Sequence, residues 1–182
     1  MNFNDKEIRL AGVIGDPIRH SKSPLIHNHW IKKNNLSCFY IPIKISRGDL
    51  EKKITYLREL GFAGLNVTVP HKIEALSIAN EKTEEAQKLG AANTLYFENN
   101  LIIADNTDAF GFKNSILRNF PFYNFKKQKV LIFGAGGAAR AVISVVIKDR
   151  KKHTGIVPDM LKRQRAALLY LDSIENGQSV GD

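Results

Sequence analysis

Short β-rich runs alternate with helical stretches along most of this chain, and no other feature restricts its fold as strongly. Residues 10–14, 38–45 and 63–69 read as strands, apolar or alternating, each bounded by turn residues. Residues 23–34 read as a helix with Ser23 as N-cap and Pro24 at the first helical position. Residues 49–60 form a second, with Leu50, Ile54, Leu57 and Leu60 on one face and Gly61 as its stop. Helices over 71–79 and 81–89 follow, then a hairpin of 94–97 with 101–104 around Asn99-Asn100. A helix over 108–118 completes this part. Such alternation predicts an α/β architecture with a mostly parallel sheet.

Residues 120–128, polar and aromatic, form a connector that divides the chain into 1–119 and 120–182. Beyond it a strand at 130–133 leads into Gly134-Ala135-Gly136-Gly137-Ala138-Ala139 and a helix to 147. This is the G-x-G-x-x-G/A pattern of a Rossmann-type nucleotide-binding segment. Gly134 permits the tight turn, Gly136 admits a pyrophosphate close to the backbone, and the helix N-terminus favours the anion. The alternative is a glycine-rich turn without a ligand. The expected second strand and its acidic residue do not follow: Lys151, Lys152, His153 and Thr154 occupy that window, and Pro158 makes 155–158 a poor strand. Only 53 residues remain from Val130 onward, against roughly 130 for a six-stranded dinucleotide domain. The nucleotide segment is therefore expected to be incomplete, and its open sheet edge predicts self-association.

Charge and composition exclude several classes. Apolar residues make up 43% and charged residues 25% of the 182, the mix of an ordinary globular chain. One cysteine, Cys38, allows no internal disulfide. The apolar stretch 130–147 holds three glycines and Arg140 and is too interrupted to span a membrane. The first residues carry no apolar leader, so a cytoplasmic location is expected. Residues 126–182 carry eleven Lys and Arg against five Asp and Glu, most of the net charge of +9. Lys162, Arg163 and Arg165 come without an aromatic platform, so nucleic acid is an unlikely partner. His27 and His29 fall on different helix faces and no CxxC exists, so no metal site is expected.

Polar residues gather where strands end. Ser21-Lys22-Ser23-Pro24 sets two hydroxyls at a helix start, suited to a carboxylate or simply to capping. Asn66-Val67-Thr68-Val69-Pro70-His71-Lys72 lies at a strand's C-terminal end, where open α/β sheets bind ligands. Lys72 in a helix's first turn opposes the macrodipole; it suits proton relay or is a surface lysine. Gly90-Ala91-Ala92-Asn93-Thr94 and Asp105-Asn106-Thr107-Asp108 add two more polar ends, which capping alone could explain.

In order and spacing these four segments, with residues 12–24 in full, 64–72, and the loop Gly134 to Arg140, resemble shikimate dehydrogenase over roughly residues 8–147. The resemblance implies a substrate domain and a nucleotide-binding domain. It also implies reversible reduction of 3-dehydroshikimate to shikimate with NADP as cofactor, in aromatic amino-acid biosynthesis. By it, Ser21 and Ser23 would hold the substrate carboxylate and Thr68, Asn93 and Asp108 its ring hydroxyls. Lys72 would donate and accept the proton, with Asp108 as its catalytic partner. Gly134, Ala135, Gly136, Gly137 and Ala138 would bind the cofactor.

The chain departs from that pattern at three places. Ala109 stands where the family commonly has glycine, and the Asn-Arg-Thr type segment that contacts a 2′-phosphate is absent. Residues 148–182 resemble no part of the family, so a truncated or frame-shifted product with weak turnover is expected. An inactive shikimate-binding module and a quinate/shikimate dehydrogenase are the alternatives.

Overall fold

A computed structural model describes residues 8–125, 130–134, 136–148 and 154–157. Its contacts divide the chain into two units, Met1–Thr107 and Asp108–Asp182.

The first unit is built on a six-stranded sheet in the order β2-β1-β3-β5-β6-β4. The strands are β1 (Arg9–Gly15), β2 (Cys38–Lys44), β3 (Phe62–Val67), β4 (Glu81–Lys82), β5 (Thr94–Glu98) and β6 (Leu101–Asp105). β1 pairs parallel with β2 and β3, and β4 parallel with β6; β5 runs antiparallel to both its neighbours. Four helices belong to this unit: α1 (Ser23–Lys33), α2 (Leu50–Glu59), α3 (Lys72–Ile78) and α4 (Glu84–Leu89). The α/β architecture and mostly parallel sheet are those expected from the alternation.

Strand alternation sends neighbours to opposite faces. Ile14 joins a core with Ile45, Leu50, Ile54, Leu65, Val67, Ala75 and Leu95, under α2 and α3. Val13 joins Ile18 and Tyr40 on the other face, with Ile31 of α1 against them. The hairpin turns through Asn99 and Asn100, both at positive φ, the geometry that suits a two-residue connection.

Four local readings are corrected. Ser23 is the first helical residue of α1 and not its cap; Lys22 holds the cap position without a side-chain bond. The apolar face of α2 ends before Leu60, which is 68% exposed. The helix expected over 81–89 begins as strand β4, with Thr83 capping α4 by accepting from the Ala86 N–H at 3.2 Å. The fourth concerns the second unit, which holds α5 (Asp108–Asn119), β7 (Val130–Phe133), α6 (Gly137–Lys148) and β8 (Thr154–Val157). β8 pairs in parallel with β7 over four residues, so the strand judged poor does form. Pro158 lies just past its end and removes no ladder donor within it. Phe125, Val145 and Val146 form this unit's core, with Phe112 and Ile116 of α5 against them. The sequence boundary at 119/120 falls after α5, whereas the contacts group α5 with the second unit, because its apolar residues pack there.

Leu95 sits at the centre of the first unit's core with no exposure. Leu95→Ala is expected to cost about 2–5 kcal/mol, seen as a lower urea midpoint at an unchanged slope.

Candidate functional site

Parallel pairing puts the C-terminal ends of β1, β2 and β3 side by side, and antiparallel β5 begins at the same end. Every first-unit residue singled out from sequence leaves the sheet there. The loops approach closely: a Cβ on Gly15 would lie 2.6 Å from the Thr68 side chain and 2.9 Å from the Val69 carbonyl oxygen. Backbone bonds lock the approach, with Thr68 N–H donating to Ile14 at 3.0 Å and Asp16 N–H to Val69 at 3.0 Å. Ser21, Ser23, Thr68, Lys72 and Asn93 are all half-buried.

The two serines share one duty. Ser23 N–H donates to Ser21 Oγ at 3.3 Å, so Ser21 supplies the acceptor at the opening of α1 that sequence had given to Ser23. The Ser23 hydroxyl in turn bonds the Tyr40 phenol.

From Tyr40 a chain of side chains crosses the sheet. The phenol donates to Asn66 Oδ1 at 2.6 Å, Asn66 Nδ2 to Thr94 Oγ1 at 3.4 Å, and Thr94 Oγ1 to Asn93 Oδ1 at 2.9 Å. Asn93 Nδ2 donates to Thr107 Oγ1 at 3.0 Å, and the Thr107 N–H returns to Asn93 Oδ1 at 3.1 Å. A backbone N–H can only donate, so the last bond settles which end of the Asn93 amide is oxygen. Asn28 grips the Tyr40 backbone twice, through Nδ2 to the carbonyl at 2.9 Å and Oδ1 from the N–H at 3.2 Å. His27 stacks on the Tyr40 ring at 4.2 Å. Sequence reasoning missed Tyr40, Asn66 and Thr107 as parts of this chain. The available signal was a polar atom at each inward position of otherwise apolar strands: Tyr40 lies opposite Ala11, and Asn66 opposite Val13.

Lys72 opens α3. Its carbonyl accepts from the Ala92 N–H at 2.7 Å, and the Asn93 carbonyl accepts from the Val67 N–H at 2.7 Å. The lysine and the asparagine are thus tied through the backbone. One ammonium, two serine hydroxyls, a threonine and an oriented amide, all half-buried at one end of the sheet, are groups that suit a small, polyhydroxylated carboxylate. A separate apolar cavity of about 520 Å³ lies between β2 and α2, lined by Ile43, Tyr56, Leu57 and Leu60 and flanked by Lys44 and Lys53. None of the sequence candidates lines it.

In the second unit Asp108 is the first residue of α5 and half-buried. Gly134 has φ +124°, which only glycine adopts at ease, and a Cβ on Gly136 would meet nothing within 4 Å. Arg140 N–H donates to Gly136 at 3.1 Å and closes the first turn of α6, with Gly137 and Ala138 at its open end. A strand, a positive-φ turn, free space above Gly136 and a helix N-terminus together fit a phosphate group. Ala135 and the residues after β8 lie outside the described ones. Among the described residues no cluster of His, Cys, Asp and Glu could hold a metal ion, and no helix is long and apolar enough to cross a membrane.

Burial pushes the Tyr40 phenol up to about 12, opposed in part by the Ser23 hydrogen bond. Folding therefore favours the neutral phenol. That contribution is whole below the ordinary value of 10.0 and is lost as pH rises towards about 12. Tyr40→Phe is expected to cost about 1–3 kcal/mol by leaving Asn66 without its donor. The variant should also lose this part of the alkaline decline in urea midpoint.

Residues 13–95 match the family model for the shikimate dehydrogenase substrate binding domain. A curated relative from Ruegeria sp., named shikimate dehydrogenase (NADP(+)), is 45% identical over 147 residues, 80% of this chain and 53% of the relative. A crystal structure of a shikimate dehydrogenase in complex with NADP+ superposes with a TM-score of 0.77 at 32% identity, covering 94% of this chain and 58% of the other. The enzyme of Thermus thermophilus, solved in complex with shikimate, gives 0.75 at 29% identity, covering 94% and 62%. The chain spans about half the length of the curated relatives it matches. Over residues 13–95 the chain is similar to the substrate binding domain of shikimate dehydrogenases.

Proposed function

We propose that this chain binds shikimate and takes part in its NADP-dependent, reversible oxidation to 3-dehydroshikimate. The observation that carries the reading is the hydrogen-bond chain passing through Asn93, which orients one amide beside the turn that bears Thr68 and Lys72. Ser21 and Ser23 would receive the carboxylate at the opening of α1, and Thr68, Asn93 and Asp108 the ring hydroxyls. Lys72 would take the proton of the reacting hydroxyl and return it to the carbonyl oxygen in the reverse direction, with Asp108 as the paired carboxylate. Bound NADP supplies hydride acceptance, and Gly134, Ala135, Gly136, Gly137 and Ala138 would hold its pyrophosphate. In this division of labour the first part of the chain, to about residue 119, is the substrate domain, and the remainder is the nucleotide segment.

The same reading carries a cytoplasmic location, where a lone thiol such as Cys38 stays reduced. Self-association has support in Phe39 and Ile41, 60% and 43% exposed on edge strand β2. Sedimentation at two concentrations tests it; an unchanged monomer would remove it.

The deciding measurement follows NADPH formation from shikimate at high protein concentration, with Lys72→Ala as comparison. Lys72→Ala is expected to lower turnover about a hundred- to ten-thousand-fold. An equal rate in both would remove the role of Lys72. Shikimate binding by calorimetry without turnover would favour the second reading, a substrate-binding module, which the self-contained first unit supports. Quinate in place of shikimate, at equal or better turnover, would reassign the substrate.

A further inference from the structure

His71 has no exposed surface and stands immediately before Lys72. Its Nε2 lies 2.7 Å from the Ile45 carbonyl oxygen. A carbonyl only accepts, so Nε2 carries the hydrogen. Nδ1 points away from that bond. It is buried without a hydrogen-bond partner, and Glu74 Oε2 stands 3.8 Å away. A phenylalanine would fill this site without burying a nitrogen that has no hydrogen-bond partner, but it would leave the Ile45 carbonyl without this donor. What the imidazole offers in return is one N–H aimed across the sheet end.

The place of that bond gives it reach. Ile45 N–H donates to Gly15 at 3.3 Å, His71 N–H to Thr68 at 2.9 Å, and Thr68 N–H to Ile14 at 3.0 Å. The ring therefore closes a circuit through the segments that follow β1, β2 and β3. α3 needs such an anchor. It has seven residues, no side-chain cap, and a lysine at the end where the helix dipole disfavours one.

We propose that His71 is a positioning residue for Lys72: its Nε2–H bond to Ile45 holds the first turn of α3, and so the ammonium, against the ends of β1 and β2. The proposal rests on the reading of Lys72 given above. Three variants of the full chain separate it from a merely structural role. His71→Gln carries an amide N–H at the reach of Nε2, His71→Asn carries one only at the reach of Nδ1, and His71→Phe carries none. The dissociation constant for shikimate is expected to rise about tenfold in His71→Phe and His71→Asn and to stay within about threefold in His71→Gln, the scale of one lost hydrogen bond. Folded Phe and Asn variants that bind as tightly as the parent would overturn it, as would Asn and Gln variants that behave alike.

A second readout needs no ligand. The 13Cε–1Hε cross-peak of Lys72, identified by its loss in Lys72→Arg, is expected to move in the Phe and Asn variants and return in the Gln variant. If the parent fails to bind shikimate, the functional reading falls, while this resonance still decides the role of His71. If the Phe variant does not fold, the Asn–Gln pair decides it.

Discussion

Backbone hydrogen bonds between the ends of β1 and β3 hold together everything that gathers at this end of the sheet. Thr68 reaches back to Ile14, and Asp16 to Val69, across a gap so narrow that a methyl group on Gly15 could not fit. That closeness converts residues separated by some fifty positions into neighbours: the serine loop after β1 and the threonine–lysine turn after β3. Remove the approach, and the hydroxyls at the start of α1 lose their fixed relation to Lys72. The buried face beneath, from Ile14 through Leu95, holds the strands in register for this purpose. Without a register set by burial, a one-residue slip would turn Asn66 away from Tyr40.

Much of this was legible in the residues, and the illegible parts have physical causes. Apolar runs, continuous or alternating, placed β1, β2, β3 and the hairpin within one or two residues, because a strand buried on both faces reads as an unbroken apolar run and one buried on a single face as a two-residue period. Asn99-Asn100 was readable as a turn because asparagine tolerates positive φ, and both residues adopt it. The polar stretches at strand ends were readable as neighbours because parallel strands collect their C-terminal ends on one side. The cap of α1 was misread by a step, since two serines two residues apart offer the same acceptor and only the backbone decides between them. β4 was invisible for a simpler reason: two residues carry no period. β8 was discounted for a proline that lies just beyond it. The Tyr40–Asn66–Thr94–Asn93 chain could not be inferred, because it joins three segments through contacts that no local pattern encodes.

The division into two units bears on how far function can be assigned. The first unit holds Ser21, Ser23, Thr68, Lys72 and Asn93 and is similar in fold to solved shikimate dehydrogenases, whereas Asp108 opens the second unit. The second holds a short glycine turn of the right geometry on two parallel strands. Recognition of a small acid needs few elements at one sheet end, whereas a dinucleotide must be gripped along its length.

The side-chain hydrogen bonds from Tyr40 to Thr107 run in one direction, each group between them receiving from one side and giving to the other, and only the Thr107 backbone N–H returns. Two of the links are asparagine amides, and an amide can do both only while it keeps its nitrogen. Slow hydrolysis to aspartate, an ordinary event in an ageing protein, would turn the giving end of Asn66 into a second receiver. Thr94 would then have to reverse its hydroxyl, facing Asn93 with a lone pair where it had offered a proton. The array thus makes the age of the molecule, through the chemistry of two side chains, a determinant of how this end of the sheet is polarised.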